Sequence, residues 1–583
     1  MKYWIPENWS DTFDHEGLLF FVQRVQEMLF HFSDDVYRAP VHNTSTLIQE
    51  YINVHIEVKT GAVGGYQLVP IYEEVKDSFL RDKILYTYLG EQYVKSLYDQ
   101  LQSCTETNRI NLVNYLSGLI KPFYLGWATD YLKSHIADGK HKNEIEAGTR
   151  AWISDLIMRG YTSEFIYSHT EHFLVQGNIE SIEMAKTYFD RFDFNKRAYK
   201  VYFQLSDYMS QYFEILKARI SLSFDDDGNY SLIQPKRDRT ICHLEIESLD
   251  YYKAIAHAYE SINIFIKYYQ FISNKRTPLL HKFGAVWDSE NNQMHHMPII
   301  PTGLKAIETH SSMMSAELID NTILGMQTNA GSGMSQFNKA IALHNSAIQQ
   351  QHPKDGFINL WSILEVFCPQ GESPTKIDPI LHAVLPVLQN DYFTTVFSRI
   401  DSDLEDNLSE SDYAELMLKI NNTGSLSAIA GLCLLPEYEQ LRDEIFIKEL
   451  KDYPLLRNKI YSLYILKEDK NAFFALSRRY RQRVKWHLYR LYRARNAIVH
   501  TGSIPHRIQV LGEHLHSYVD CVMFEVAFKL GKSNVLQSIG TMFVDTELLL
   551  DSKDIHFSKN TAIDAHDLDI LFQNTFYPKL PQS

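Results

Sequence analysis

The stretch RRYRQRVKWHLYRLYRARNAIVHTGSIP, residues 478–505, decides how the rest of the chain is interpreted. It carries eight Lys and Arg side chains, and no Asp or Glu occurs from Lys470 to Gly512. The chain as a whole is acidic, with 57 Lys and Arg against 72 Asp and Glu, so this basic block differs from its background. Apolar residues at spacings of four, three and seven predict an amphipathic helix, and they are Val484, Leu488, Leu491 and Ile498. We expect the helix to end near Gly502, which suits a C-terminal cap, and before Pro505.

Two polar residues near the end of this predicted helix do not fit a simple solvent-exposed face. At about 100° per residue, Arg495 falls within the apolar stripe, where a guanidinium needs a carboxylate, a phosphate or another subunit as its partner. His500 follows five residues later, and histidine titrates near neutral pH. A permanent cation beside a titratable acid or base is the minimum needed to cleave a phosphodiester without a metal.

These residues carry a resemblance to a known family. The sequence from Arg495 to His500, RNAIVH, resembles the R-N-x-x-x-H form of the R-x(4–6)-H motif of HEPN ribonucleases, and its flanks resemble the Apea-like group of prokaryotic anti-phage and toxin systems. A second segment, residues 337–369, resembles the opening helix pair of that family, including the Leu364-Glu365 step. Loose copies of the spacing, such as Arg276–His281, lack this combination of helix end, basic face and upstream helix pair.

The resemblance implies a metal-independent RNA endonuclease that functions as a homodimer, with two motifs meeting in one cleft. In this interpretation Arg495 holds the phosphate, His500 is the general acid or base, and Asn496 orients the pair. Glu365 is either a helix-packing carboxylate or a group that orients Arg495 or His500. No cofactor is expected. The implied role is growth arrest in anti-phage abortive infection or in a toxin system, with a phage-derived trigger sensed by the N-terminal region and RNA, tRNA among the candidates, as the target.

The basic helix has two interpretations of its own. Runs of Lys and Arg on helices are usually solvated, but they are normally mixed with acidic residues, which are missing here, so we favour contact with RNA. The candidate RNA-binding residues are Arg478, Arg479, Arg481, Arg483, Lys485, Tyr489, Arg490, Tyr492 and Arg493, the two tyrosines as stacking partners. One helix cannot present all of them on one side, so some must face solvent or be paired internally. The alternative function is a non-catalytic scaffold that binds RNA or nucleotide, or dimerises.

Composition sets the remaining limits. A chain of 583 residues with 45% hydrophobic and 22% charged residues is typical of a globular protein with two or three domains. The five cysteines form no C-x-x-C pair, and the histidine pair His514 and His516 is not expected to chelate, so no metal site is predicted. The segment from Asp401 resembles a calcium loop without its glycine, and we expect a solvated loop there. No signal peptide or membrane-spanning run is found, which predicts a cytoplasmic protein without a membrane partner.

The predicted fold class is mainly α, with a HEPN-like C-terminal helical bundle after a large, mostly helical N-terminal region that contains β-hairpins. We predict a sensing or regulatory region over residues 1–330, a HEPN-like nuclease domain over 335–532 and a loosely organised tail over 533–583. Hairpins are expected near residues 50–70, from alternating Ile and Val, and at 218–247, where Asp226 to Asn229 supply a turn. Residues 73–216 are otherwise expected to be mostly helical.

Overall fold

The computed structural model describes residues 1–29, 42–61, 63–224, 233, 239–273, 280–299, 332–350, 352–368, 375–420, 426–504, 508–532 and 538–573. Of these residues 74% are helical, and they include one four-stranded antiparallel sheet. The predicted mainly α class with some β structure is therefore confirmed. Contacts divide the chain into a first unit, Met1–Ser154 with Asn178–Ile182 and Gly303–Ser583, and a second unit, Asp155–Gly177 with Glu183–Thr302.

The first unit is built from helices. In its N-terminal part they are α1 (Glu16–Leu29), α2 (Thr44–Lys59), α3 (Leu68–Arg81), α4 (Lys83–Leu89), α5 (Glu91–Ser103), α6 (Arg109–Ile120), α7 (Tyr124–His135) and α8 (Lys142–Arg159). The second unit contains the short helix α9 (Ser163–Thr170), most of α10 (Ile182–Lys186), α11 (Phe213–Ile220) and α12 (Tyr251–Ser273). The C-terminal part contributes α13 (Ser332–Gln349), α14 (Pro353–Phe367), α15 (Asp378–Asn407), α16 (Glu410–Lys419), α17 (Leu426–Leu434), α18 (Glu439–Ile447), α19 (Pro454–Tyr464), α20 (Lys470–Asn496), α21 (Ile508–Lys532), α22 (Ile539–His556) and α23 (Ala565–Leu571).

A helical bundle at the C-terminal end of the first unit supports the candidate site. Helix α14 packs on α13 and α21, and α15 packs on α20 and α22. Every third or fourth residue of α14 is buried, because Phe357, Leu360, Trp361 and Leu364 form one apolar stripe. Leu488 and Leu491 of α20 belong to the same core. The apolar residues that recur at helical spacing in the sequence are therefore the residues that pack in the core.

The predicted hairpin near residues 50–70 is wrong, because residues 44–59 form helix α2. The side chains of Asn43 and Thr46 cap its first turn reciprocally, and Leu47, Tyr51 and Val54 are buried at helical spacing. The alternating β-branched residues suggested a strand, but Ile56 is 56% exposed, so the alternation does not mark a buried face. A helical stripe and a good cap outweigh β propensity here.

The second unit contains the sheet, with strands β1 (Arg197–Ser206), β2 (Arg239–Ser248), β3 (Phe283–Asp288) and β4 (Gln293–Pro298) in the order β2-β1-β3-β4. Strand β1 interrupts the predicted helical run, because its aromatic and β-branched residues fit a central strand that is covered on both faces. Strand β2 occupies the C-terminal part of the segment 218–247, where a hairpin is predicted. One part of the hairpin predicted at 218–247 is observed: an antiparallel bridge joins Ser223 to His243. The predicted turn lies outside the described residues.

Three further expectations differ from the structure. The segment from Asp401 is helical rather than a loop, and the side chain of Asp403 is buried. The predicted loose tail contains α22 and α23, and α22 packs on α15 with Met542 and Phe543 buried. The division at residue 330 also differs from the contacts, which place residues 1–154 in the same unit as the C-terminal bundle. Across the described ranges, every helix falls short of the length and apolar character needed to cross a bilayer.

Candidate functional site

The site lies at the C-terminal end of α20. This 27-residue helix starts after Asp469, whose carboxylate accepts hydrogen bonds from two backbone N–H groups of the first turn. At its other end the chain widens into a π-helical turn, Ala497–Thr501, and stops at Gly502, which has φ +68°. The predicted helix and its glycine cap are therefore confirmed, whereas Pro505 lies outside the described residues.

The π-helical turn changes the relation between Arg495 and His500. In a regular α-helix two residues five positions apart point about 140° away from each other. A π-helical turn takes more residues to close, so a spacing of five comes nearer to one full turn. Such turns occur often at functional sites. The turn therefore brings the directions of the two side chains closer than an unbroken α-helix would.

Arg495 is held by a carboxylate. Its Nη2 lies 3.0 Å from Oε1 of Glu365 on α14, and its Nη1 donates to Oδ1 of the neighbouring Asn496 at 3.3 Å. The same Glu365 oxygen accepts a hydrogen bond from Nε1 of Trp361, also at 3.0 Å, and Trp361 is fully buried. Arg495 keeps 22% of its side chain exposed, so part of the guanidinium faces solvent. Three of the four predicted site residues thus contact one another.

His500, the fourth of these residues, is exposed on the π-helical turn. Within the described part of the chain its ring has no hydrogen-bond partner. Two apolar residues of the same segment, Val499 and Ile504, are 48% and 55% exposed. An exposed imidazole and a guanidinium that is partly exposed are both accessible to an anion at this end of the helix.

Two of the predicted RNA-binding arginines are instead buried in ion pairs with the N-terminal helices. Arg490 meets Glu50 in a two-pronged contact, Nε to Oε1 at 2.8 Å and Nη2 to Oε2 at 2.6 Å, and its Nη2 lies 2.8 Å from Oε2 of Glu74. Arg493 also donates to Glu50. Both arginines are less than 10% exposed. The prediction that they contact RNA is wrong, because the acids missing from this stretch are supplied by α2 and α3.

The two carboxylates of this buried ion-pair cluster, Glu50 and Glu74, have pKa values that shift in opposite directions. Burial alone raises the pKa of Glu50, but Arg490 and Arg493 outweigh it and hold that pKa well below its ordinary value. Burial raises the pKa of Glu74, and Arg490 offsets only part of that rise. The difference arises because Glu50 contacts both guanidiniums, whereas Glu74 contacts one. We therefore name Glu50 as the main counter-charge of the helix.

The other residues predicted to bind RNA differ in how far their side chains are exposed to solvent. Tyr492 is buried with its ring centroid 5.7 Å from that of Trp361, so the prediction that it stacks on a base is wrong. Tyr489 is half-buried against the same core. Arg478 pairs with Asp554 at 2.6 Å and Arg481 donates to Gln389 at 3.1 Å. The remaining three are solvent-accessible: Arg479 and Arg483 are exposed and Lys485 is half-buried.

Sequence reasoning missed Glu50, Glu74 and Trp361. The two glutamates lie more than 400 residues before Arg490 in the chain, and no local pattern links them to it. Trp361 has a usable signal, because it is four residues before Glu365 on a predicted helix and therefore on the same face. Comparisons of this chain with known protein families, with curated proteins and with solved structures give no match.

Proposed function

We propose that this chain is a metal-independent RNA endonuclease of the HEPN type. The observation that carries the proposal is the arrangement at the end of α20, where Arg495 is anchored by Glu365 and His500 is exposed on the π-helical turn that follows. The resemblance of RNAIVH to the HEPN motif supports it. The supporting geometry is that of a cation pre-oriented for a phosphate beside a group that transfers protons near neutral pH.

The proposed reaction uses the 2′-hydroxyl of RNA as the nucleophile. His500, or its counterpart in a second copy, takes the proton of that hydroxyl, and the oxygen attacks the adjacent phosphorus. Arg495 binds the non-bridging oxygens as negative charge accumulates on them. The bond to the 5′-oxygen breaks, and that oxygen receives a proton from the protonated histidine of the other copy. The products are a 2′,3′-cyclic phosphate and a 5′-hydroxyl, which balances atoms and protons without a metal.

A homodimer is part of the proposal. One Arg and one His leave either the general base or the general acid unassigned, and a second copy would supply it. The exposed Val499 and Ile504 beside His500 give the surface some of the apolar area that such an interface needs. The acidic contacts to Arg490 join the N-terminal helices to the helix that bears the site, which supports a regulatory role for that region. Growth arrest during phage infection, with tRNA or another RNA as target, is the proposed biological role.

A non-catalytic scaffold is the second candidate. The burial of Arg490, Arg493 and Tyr492 favours it, because part of the basic helix then serves the fold rather than RNA. The two candidates differ in one respect that is easy to measure. A nuclease turns over RNA, whereas a scaffold binds RNA or a second copy and leaves the RNA intact.

The test uses the purified full-length chain with total RNA and tRNA, in the presence of excess chelator. We expect cleavage by the parent, and losses of about 10²-fold or more in Arg495→Ala and His500→Ala. Arg81→Ala and His382→Ala remove an exposed arginine and an exposed histidine elsewhere in the same unit and should cleave like the parent. Circular dichroism checks that each variant is folded. Equal cleavage by the parent and both site variants would overturn the proposal, and RNA binding without cleavage would establish the scaffold.

A further inference from the structure

Three side chains outside the site described above converge on one point of the C-terminal bundle. His344 lies on α13, and His516 and Asp520 lie four residues apart on one face of α21. Nε2 of His344 is 2.8 Å from Oδ1 of Asp520 and 3.0 Å from Nε2 of His516, and Nε2 of His516 is 3.5 Å from the same Asp520 oxygen. Two nitrogens and one oxygen therefore form a small triangle between two helices.

Protons alone do not satisfy this triangle. The two Nε2 atoms face each other, so a proton on one of them requires a lone pair on the other, and both must share one carboxylate oxygen. The side chain of His516 is 7% exposed, so its ring lies inside the bundle. Neutral imidazole nitrogens and a carboxylate are the forms that bind a metal ion. Two ring nitrogens and one carboxylate oxygen around a common point can therefore chelate a metal ion.

The dimensions agree with a tetrahedral ion. Bonds of about 2.0–2.1 Å from a Zn²⁺ ion to nitrogen or oxygen ligands place tetrahedral neighbours about 3.3 Å apart. The three distances between the ligand atoms range from 2.8 to 3.5 Å and bracket that value. Asp520 is 33% exposed, so the outer side of the triangle is open to solvent for a water as fourth ligand.

We propose that His344, His516 and Asp520 bind one divalent transition-metal ion, with Zn²⁺ the ion that best suits two imidazoles, one carboxylate and a water. The ion would cross-link α13 to α21 and so brace the bundle. The sequence signal is the His-x-x-x-Asp spacing in HSYVD, because His516 and Asp520 share a helix face that His514 does not. This inference is independent of the proposed nuclease function, since none of the three residues belongs to the Arg495 and His500 site.

The test measures metal binding directly on the full-length chain after removal of metals. We expect isothermal titration to show one Zn²⁺ per chain, and Co²⁺, used as a spectroscopic probe, to give the visible absorption of a four-coordinate site. Each of His344→Gln, His516→Gln and Asp520→Asn should weaken Zn²⁺ binding by about tenfold or more. Zn²⁺ should also raise the thermal unfolding midpoint of the parent, and it should raise that of the three variants less.

His382→Gln is the matched control, because it removes an exposed histidine from α15 of the same unit. It should bind Zn²⁺ like the parent. Asp520→Asn alters a partly exposed residue and keeps the test valid even if the buried His516→Gln fails to fold. Binding that is unchanged in all three variants, or that is seen only with several equivalents of weakly held metal, would overturn the proposal. RNA cleavage plays no part in the readout.

Discussion

Nη2 of Arg495 lies 3.0 Å from Oε1 of Glu365, an oxygen that is itself fixed by the indole N–H of the buried Trp361. The contact leaves the rest of the guanidinium available to a phosphate, because one nitrogen takes the carboxylate and another takes Asn496. Both side chains are partly exposed, so the pair contributes only about 0.2–1 kcal/mol to stability. Its main effect is on the direction of the arginine.

Glu365→Gln should therefore impair cleavage more than stability. The amide still accepts from Trp361 but holds the guanidinium weakly, so we expect kcat to fall by about tenfold, which is about 1.4 kcal/mol of barrier, with little change in KM. Steady-state kinetics with a short RNA would measure it. Glu415→Gln, which loses an exposed pair with Lys419, should cleave like the parent. A Glu365→Gln protein with unchanged kcat would make this residue a packing carboxylate only.

Gly502→Ala should disturb the π-helical turn that carries His500. The residue has φ +68°, where a side chain costs about 1–2 kcal/mol, and no atom lies within 4 Å of an added Cβ, so only backbone strain is involved. We expect reduced cleavage and faster hydrogen exchange in residues 497–504. Gly118→Ala is the control, because that glycine lies inside α6 with equally open surroundings and should gain about 0.5–1 kcal/mol. Equal behaviour of the two variants would contradict the prediction.

Glu50→Gln should destabilise the first unit by about 3 kcal/mol, because it leaves two buried guanidiniums with incomplete counter-charge. Urea unfolding, together with hydrogen exchange in α2 and α20, would measure the loss. Glu91→Gln, which breaks an ion pair between side chains that are 67% and 61% exposed, should unfold at the same urea concentration as the parent. A small effect at Glu50 would show that Glu74 alone can neutralise the arginines.

The same carboxylate gives stability a defined dependence on acid. The folded pKa of Glu50 lies below its ordinary value of 4.5, so its contribution is complete above that pH and is lost as the pH falls below it. The difference in unfolding free energy between the parent and Glu50→Gln should therefore be constant at neutral pH and shrink below about pH 4.5. Unfolding measured at a series of pH values tests this. A difference that grows on acidification would have the wrong sign.

The buried Lys553 should make the stability of the fold depend on pH in alkaline solution as well. Its ammonium is buried and donates to Oδ1 of Asn390 and to the carbonyl of Leu571, both at 2.8 Å. Burial lowers its pKa from 10.5 to about 8, although Glu525 offsets part of the shift. The unfolded chain binds the proton more tightly, so stability should rise between pH 8 and 10.5 by up to about 3 kcal/mol relative to Lys553→Met. The exposed Lys339, changed to Met, is the control and should show no such rise.

The parts of the molecule that were predictable from sequence are those set by local patterns. The helix that carries Val484, Leu488 and Leu491 follows from their apolar spacing, and its end at Gly502 follows from the conformational freedom of glycine. The contact between Glu365 and Arg495 is one of the two alternatives that the sequence leaves open for Glu365, because a guanidinium within an apolar stripe needs a carboxylate, a phosphate or another subunit as its partner. Residues 44–59 form a helix although their β-branched residues favour a strand, because Asn43 and Thr46 cap the first turn and the buried residues follow helical spacing.

What the sequence could not provide is the pairing of distant segments. Glu50 and Glu74 have ordinary local surroundings, and only the tertiary fold places them beside Arg490. The histidine pair His344 and His516 is separated by 172 residues, so spacing rules that search within one helix do not find it. The central strand β1 is covered on both faces and lacks the alternation that marks an exposed strand, which is why it resembled a helix.

The ion pairs that α2 and α3 form with α20 also limit how the protein can be truncated. A shortened protein beginning after residue 330 would keep the C-terminal bundle but lose both glutamates, so Arg490 and Arg493 would lose their carboxylate partners. Such a piece would tend to misfold or to bind any polyanion indiscriminately, and its behaviour toward RNA would misrepresent the parent. Activity is therefore a property to be measured on the intact chain.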